Sequence, residues 1–209
     1  GMEYDPGELD VGDRYKLLCG LVTPRPIALV TSMNHDGSIN AAPFSFFNVI
    51  GHDPPLVVLG FHSRADGDPK DTVRNIRGRG EFVVNLIDED IVEPMNICGG
   101  EYPYLFDELA AAGLTQVSST RIAVDRVKEA PASFECIVTT DLNFGPRRTV
   151  IIGEIVQIHV RDGLVGERFH VDQVNRRAVG RMAGNHYTRT ADRFTIRANH
   201  NKEWQSEKG

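Results

Sequence analysis

The chain has 209 residues, long enough for one sizeable core, with 41% hydrophobic and 25% charged residues, as in ordinary globular proteins. A formal net charge of -6 and a pI near 5.6 exclude broad nucleic-acid or anionic-membrane binding, because both need a basic surface. Any phosphate must be held locally.

Residues 2–20 are polar and acidic, with a weak apolar pattern at Tyr15, Leu17 and Leu18, and read as an N-terminal arm (1–20) without function. From Ile27, IALVTSM forms a compact apolar strand, NHDG a turn with Asp36-Gly37 suited to positive φ, and SINAAPFSFFNVI a second extended run. Together they predict a hairpin. Pro54-Pro55 resets the chain and PLVVLGF is a third strand, after which SRADGDPKDTVRNIRGRG changes to a helical period. Asp68 is the expected N-cap and Pro69 the first helical residue, Val73 and Ile76 share a face, and Gly78 and Gly80 end the helix.

EFVVNL is another strand, while DEDIVEPMNI and LFDELAAAG read as short helices, the second stopped by Gly113. ASFECIVTT and RTVIIGEIVQIHV are long strands joined by DLNFGPR, and RFTI is expected as a last strand. Strands dominate and helices are short and inserted, so the expected architecture is mainly β, an antiparallel barrel with short peripheral helices. RGRGEF runs into a strand, the wrong context for a dinucleotide fingerprint, and no βαβ alternation supports a Rossmann fold.

Cys19, Cys98 and Cys136 are odd in number and far apart, which suggests neither a disulfide framework nor a zinc site and fits a reducing cytoplasm. No apolar run approaches the roughly 20 residues that span a bilayer, and the N-terminus lacks a signal-peptide layout. Gly1 ahead of Met2 reads as a remnant of tag removal. No HExxH or paired His/carboxylate spacing points to a metal, and no GxSxG elbow points to a hydrolase.

Chemistry gathers between Arg25 and Ile76. The start of the PKDTVRNI helix offers unpaired N–H groups and a partial positive charge, a ready anion site, with Lys70 and Thr72 in its first turn. Ser63 or Arg64, at the end of the preceding strand, can close the other side. Taken alone, such a start more often marks an ordinary capped surface helix. APFSFFN supplies both flat apolar and polar groups, but alternate strand residues face opposite sides. Phe46 and Phe47 therefore cannot both line one ligand, and one of them belongs to the core.

The ordered series RPIALVTS, DG, NAAPFSFFNVIGHDPP, FHSR, KDTVRNI and EFVVNL, continued by AGLT, FEC, VIIGEIVQIHV and GRMAGNHYTRT, resembles the flavin reductase-like family of FMN-binding split-barrel proteins. The likeness covers about residues 20–196, giving a domain at 21–196 and a tail at 197–209. It implies an antiparallel, Greek-key-like split β-barrel holding FMN. It also implies that Ser45, Phe46, Phe47 and Asn48 border the flavin ring, with Thr31, Ser32, Arg25 and Pro26 nearby. Lys70 and Thr72, with Ser63 or Arg64, would hold the phosphate end, His62 and Asp71 are counted among the cofactor-binding residues, and His186 and Tyr187 resemble a segment that meets a second substrate.

Dimerisation is implied by the same resemblance, as is an NAD(P)H-dependent flavin reductase that passes electrons to free flavin, a monooxygenase or another acceptor. A flavoredoxin-type electron carrier without enzymatic activity is the alternative. Oxidases of pyridoxal-type amines share the barrel, but their motifs are not matched. One departure stands out. Many short flavin reductases of two-component monooxygenases carry a histidine just before the threonine of the TxxIGE-like strand, where RRTVIIGE has Arg148. Arg147 and Arg148 favour an acidic or phosphorylated reductant, or mark a protein whose donor is not NAD(P)H.

Overall fold

The computed structural model describes residues 1–196. Seven strands form one antiparallel sheet: β1 (Ala28–Met33), β2 (Ile39–Phe44), β3 (Phe47–His52), β4 (Pro55–His62), β5 (Glu81–Leu86), β8 (Ala132–Phe144) and β9 (Arg148–Val160). Their order is β2-β1-β5-β8-β9-β4-β3. The two end strands, β2 and β3, are consecutive in the chain and separated only by Ser45 and Phe46. The sheet must therefore curl until its ends meet, and the Gly60 N–H of β4 donates to the Phe46 carbonyl at 2.8 Å, carrying the β3–β4 ladder into the bend that joins them. This closure makes the sheet a barrel.

Strand alternation divides the core in two. Ala28 and Val30 of β1, Phe82 and Val84 of β5, with Phe44, Phe47, Leu59, Phe61, Cys136 and Ile151, fill the barrel. Helix α2 (Asp71–Arg79) adds Val73 and Ile76 to that cluster, so the helix start is fixed by burial of its far face. Leu29 and Val83 point the other way, into a second cluster with Met95 and Cys98 of α3 (Val92–Cys98) and Leu109 of α4 (Glu108–Ala112).

The Asp36-Gly37 turn forms as the sequence requires, with Gly37 at φ +88 and the Asn34 N–H donating to the Ser38 carbonyl at 2.8 Å. Gly113, at φ +69, ends α4. Several expectations need correction. Residues 11–21 are helix α1 (Val11–Leu21), capped by Asp10, whose side chain accepts from the Asp13 N–H at 2.8 Å. Helix α2 begins at Asp71 and not at Pro69, because residues 64–68 close a turn in which the Arg64 N–H donates to the Asp68 carbonyl. Lys70 is then the N-cap and makes no side-chain cap bond.

RFTI at 193–196 forms no strand. The late strands are instead the short pair β10 (Val179–Arg181) and β11 (Tyr187–Arg189), beyond the helical turn α5 (Gln173–Arg176). A further small ladder joins β6 (Gln116–Val117) to β7 (Arg126–Val127). Residues 197–209, and with them the expected tail, lie outside the described residues.

Candidate functional site

Two cavities meet beside the bend between β2 and β3, and both are lined by Pro43 and Lys70. The first, about 710 Å³, runs from Asn40 and Pro43 across Ser63, Arg64 and the start of α2 to Cys98, Tyr102 and Glu108. The second, about 670 Å³, lies between α1 and the bend, among Arg14, Tyr15, Leu18, Phe44, Ser45, Phe46, His62, Arg147 and Arg148. Each lies within the ordinary range for a small-ligand site.

At the first cavity, the absence of a side-chain cap leaves the opening N–H groups of α2 free to meet an anion. Lys70 Nζ sits 5.5 Å from the centre of the Phe44 ring and has no carboxylate within ion-pair distance among the described residues. Desolvation, then the neighbouring Arg64 charge, lowers the Lys70 ammonium from its usual value. Asp71 is already engaged by Arg64 at 2.6 Å and by Arg74. Thr72 is buried and its hydroxyl accepts from Asn40 Nδ2 at 3.1 Å. Glu108, also buried, accepts from the Ala41 N–H at 3.3 Å, and burial raises its carboxyl. Beside it, the Cys98 thiol is pushed up to about 12 by burial and the Glu108 charge, so it is inert at neutral pH.

The second cavity is different in kind. Phe46 is partly exposed in its wall, while Phe47 is buried in the barrel. The Arg148 guanidinium lies 5.2 Å from the centre of the Phe46 ring. Opposite Arg148 in the ladder is His62, which desolvation and the Arg148, Arg147 and Lys70 charges keep below the usual histidine value. Gly60 forms part of the floor, where a Cβ would stand 3.3 Å from Phe46 Cβ.

Arg25 does not enter either cavity. It is buried, and its guanidinium donates to the carbonyls of Cys19 at 2.7 Å, Val22 at 2.8 Å and Met182 at 3.4 Å, and to Ser45 Oγ at 3.3 Å. It thereby ties α1 and the β10-β11 turn to the bend. Thr31 and Ser32 are fully buried: Thr31 donates to the Asp125 carbonyl, and Ser32 accepts from Asn75. Asn48 is exposed on β3 and accepts from the Val49 N–H, and Pro26 is exposed outside both cavities. His186 and Tyr187 stand in the β10-β11 turn, where Arg181 lies 4.7 Å from the centre of the Tyr187 ring. The bridge between Arg25 and Arg181 brings this turn close to α1.

The sequence reading did not anticipate α1, Glu108 or Arg14 as cavity walls. A cap at Asp10 was the available signal for α1. Glu108 and Arg14 reach the groove from segments remote in sequence and carried none.

The pattern described as a flavin reductase like domain matches residues 21–180. The chain belongs to the flavin reductase-like family. Proteins of this family bind flavin, and this member is similar along nearly its whole length to solved structures. The 2-nitrobenzoate 2-nitroreductase of Pseudomonas fluorescens is 38% identical with a TM-score of 0.88, over 96% of this chain and 98% of that one. The nitrilotriacetate monooxygenase component B of Bacillus cereus is 34% identical with a TM-score of 0.90, over 94% and 98%. Flavoredoxin of Desulfovibrio vulgaris, at 20% identity and a TM-score of 0.74 over 96% and 99%, shares the fold. An uncharacterised Aquifex aeolicus protein is 39% identical over 193 residues, 90% of this chain and 95% of its own.

The groove suits a flavin. It joins an uncapped helix start and a lysine at one end to an aromatic wall at the other. Among the described residues there is no cluster of metal-ligating side chains, and no helix long and apolar enough to cross a membrane.

Proposed function

We propose that this flavin reductase-like protein holds FMN along the groove and works as an NAD(P)H-dependent oxidoreductase passing electrons to free flavin or a partner. The observation that carries this reading is the junction at Lys70. There an anion-binding helix start adjoins a cavity with a flat wall, as a phosphate joined to a planar ring system requires. Lys70, the Ser63 hydroxyl and the first N–H groups of α2 would hold the phosphate. Phe46 and Ser45 would border the ring, and Arg25, through Ser45 and α1, would fix the wall against which it lies.

When bound, the flavin supplies hydride and electron transfer, and the protein supplies position and electrostatics. The cations Arg147 and Arg148 favour whatever negative charge gathers at the ring end. Helix α1 and Phe46 shield that end from water.

Two relatives support an enzyme. One is named for reduction of 2-nitrobenzoate, an aromatic ring bearing a carboxylate, and the other as a monooxygenase component. The second of these favours a partner monooxygenase as acceptor. Arg148, standing where many short reductases carry histidine, favours a second reading, an electron carrier of the flavoredoxin type that binds no nicotinamide. Titration with FMN followed by steady-state NADH and NADPH oxidation separates the two. Turnover well above the free-flavin background supports the reductase, whereas bound flavin without turnover supports the carrier.

The proposal includes a homodimer in the cytoplasm. Val49 and Ile50 of β3, Ile137 of β8 and Ile158 of β9 are each exposed by 44% or more, apolar surface of the kind a second copy would cover. Three free, buried cysteines agree with a reducing compartment. Light scattering at the mass of one chain would remove the dimer.

A further inference from the structure

We propose that the cavity beside Phe46 contains a subsite for the carboxylate of a planar organic acid, formed by Arg148 and Arg147 with Arg14 in the same wall. The inference rests on the flavin reading above and names the substrate class of that site. Four cationic side chains, Arg14, Lys70, Arg147 and Arg148, line this cavity, and no carboxylate does. In a chain of net charge -6 that is a local reversal of sign. Surface cations ordinarily stand among acids, and these do not.

One flavin phosphate, at about two negative charges, would occupy Lys70 and the start of α2. That leaves the three arginines. None of them has an ion-pair partner among the described residues, and Arg14 Nε is buried without a hydrogen-bond acceptor. Arg14 spends its Nη2 on the Leu9 carbonyl at 2.9 Å. Desolvation, then the Arg148, Arg147 and Lys70 charges, keeps His62 below the usual histidine value, so it adds less positive charge of its own.

The type of anion follows from the geometry. A guanidinium presents a planar fork that matches a carboxylate in two parallel bonds. Arg148 lies 5.2 Å from the centre of Phe46, the wall on which the flavin ring would rest, so an anion meeting it must be attached close to a flat body stacked on the open face of that ring. Tyr15, Leu18 and Phe44 provide the remaining apolar surface for such a body. An aromatic acid has this form. A dinucleotide phosphate, separated from its ring by a flexible sugar, has no need of a cation so close to the wall.

The test uses the FMN-loaded full chain with benzoate and benzamide, neutral and charged partners of one shape. Calorimetry and the perturbation of bound-flavin absorbance each report affinity. Benzoate should bind at least 10-fold more tightly than benzamide, R147A/R148A should abolish that preference, and R148K should lose most of it because the charge remains while the fork is gone. Equal binding of the two ligands, or a preference that survives the double variant, would overturn the subsite. So would 2′,5′-ADP displacing benzoate with the same arginine dependence at far higher affinity, which would assign the arginines to a dinucleotide phosphate. If FMN itself fails to bind, the flavin reading falls alone. Calorimetry of benzoate on the flavin-free chain then decides the carboxylate subsite, and the same 10-fold preference there would sustain it.

Discussion

The two cavities share a wall at Pro43 and Lys70 but are built on opposite electrostatic plans. On the α2 side, Arg64 and Lys70 stand among Asp66, Asp71, Glu101 and Glu108, with Arg64 paired to Asp71 and Glu108 bonded to the Ala41 N–H. On the α1 side there are four cations and no acid. Both sides can attract an anion, but for different reasons. The first relies on backbone N–H groups that fit one small, highly charged group, and nearby carboxylates discourage anything larger or misplaced. The second offers excess charge beside an apolar surface and suits a ligand that is mostly carbon.

The largest expected effect comes from removing the clamp that builds only the α1 side. Arg25→Ala deletes a buried guanidinium and leaves the Cys19 and Val22 carbonyls short of a donor, at a cost of about 3 kcal/mol or more in stability. Chemical denaturation would measure it, and riboflavin and FMN affinities should fall together because the ring wall is lost. A stability unchanged within 1 kcal/mol would mean that α1 is held by other contacts.

Next is Lys70→Ala, which should weaken FMN by about 10- to 100-fold, as expected for a charge-assisted bond of about 1.5–3 kcal/mol, while leaving riboflavin affinity unchanged. Equal losses for both flavins would move the phosphate away from the helix start. Lys70 is preferable to Thr72 as a target, since the Thr72 hydroxyl also supports Asn40.

Smaller effects should differ in sign between the two sides. Burial raises the Glu108 carboxyl, so its proton is held more tightly in the folded chain than in the unfolded one. Stability then falls as pH rises from the ordinary glutamate value through the raised one. Glu108→Gln should accordingly raise the melting temperature at pH 8 and have little effect at pH 4. A gain confined to acid would contradict the assignment. His62 is lowered by burial and by the arginines, so stability is lost as pH falls through the ordinary histidine value near 6.5. In an NMR titration its midpoint should lie below that value and move upward in Arg148→Ala; a midpoint insensitive to Arg148 would remove the cation from its neighbourhood.

Local signals made most of the barrel legible. EFVVNL has clean strand character and coincides with β5, and Asp36-Gly37 could hardly be anything but a turn. Helix α1 was not legible, because what fixes it is a guanidinium bonded to carbonyls at its end and not an apolar stripe; Cys19 is its one buried residue. The two-residue offset at α2 has a similar origin, in a turn closed by Arg64 and Asp68 before Pro69. RFTI alternates like a strand, but no neighbouring strand in the described chain pairs with it.

As for the site, the family resemblance pointed to Ser45, Phe46 and Lys70 as flavin contacts and to Arg148 as a substrate contact without saying which shared a cavity. Thr31, Ser32 and Arg25 are polar residues in the same stretch whose groups are spent inside the protein. Alternation along a strand tells which way a side chain points, but not whether its hydroxyl will find a partner from 94 residues away, as Thr31 does at Asp125. A glutamate such as Glu108 is invisible for the same reason.

The bend at Ser45 and Phe46 is both the seam of the barrel and the wall of the second cavity. Peeling the bend away from β4 breaks the bond from Gly60 to Phe46 and dismantles the wall in one event. A ligand lying on Phe46 would thus act as a latch where the bend meets β4, and its arrival should be felt as slowed hydrogen exchange at the Gly60 amide, on a strand whose neighbours are already deep in the core.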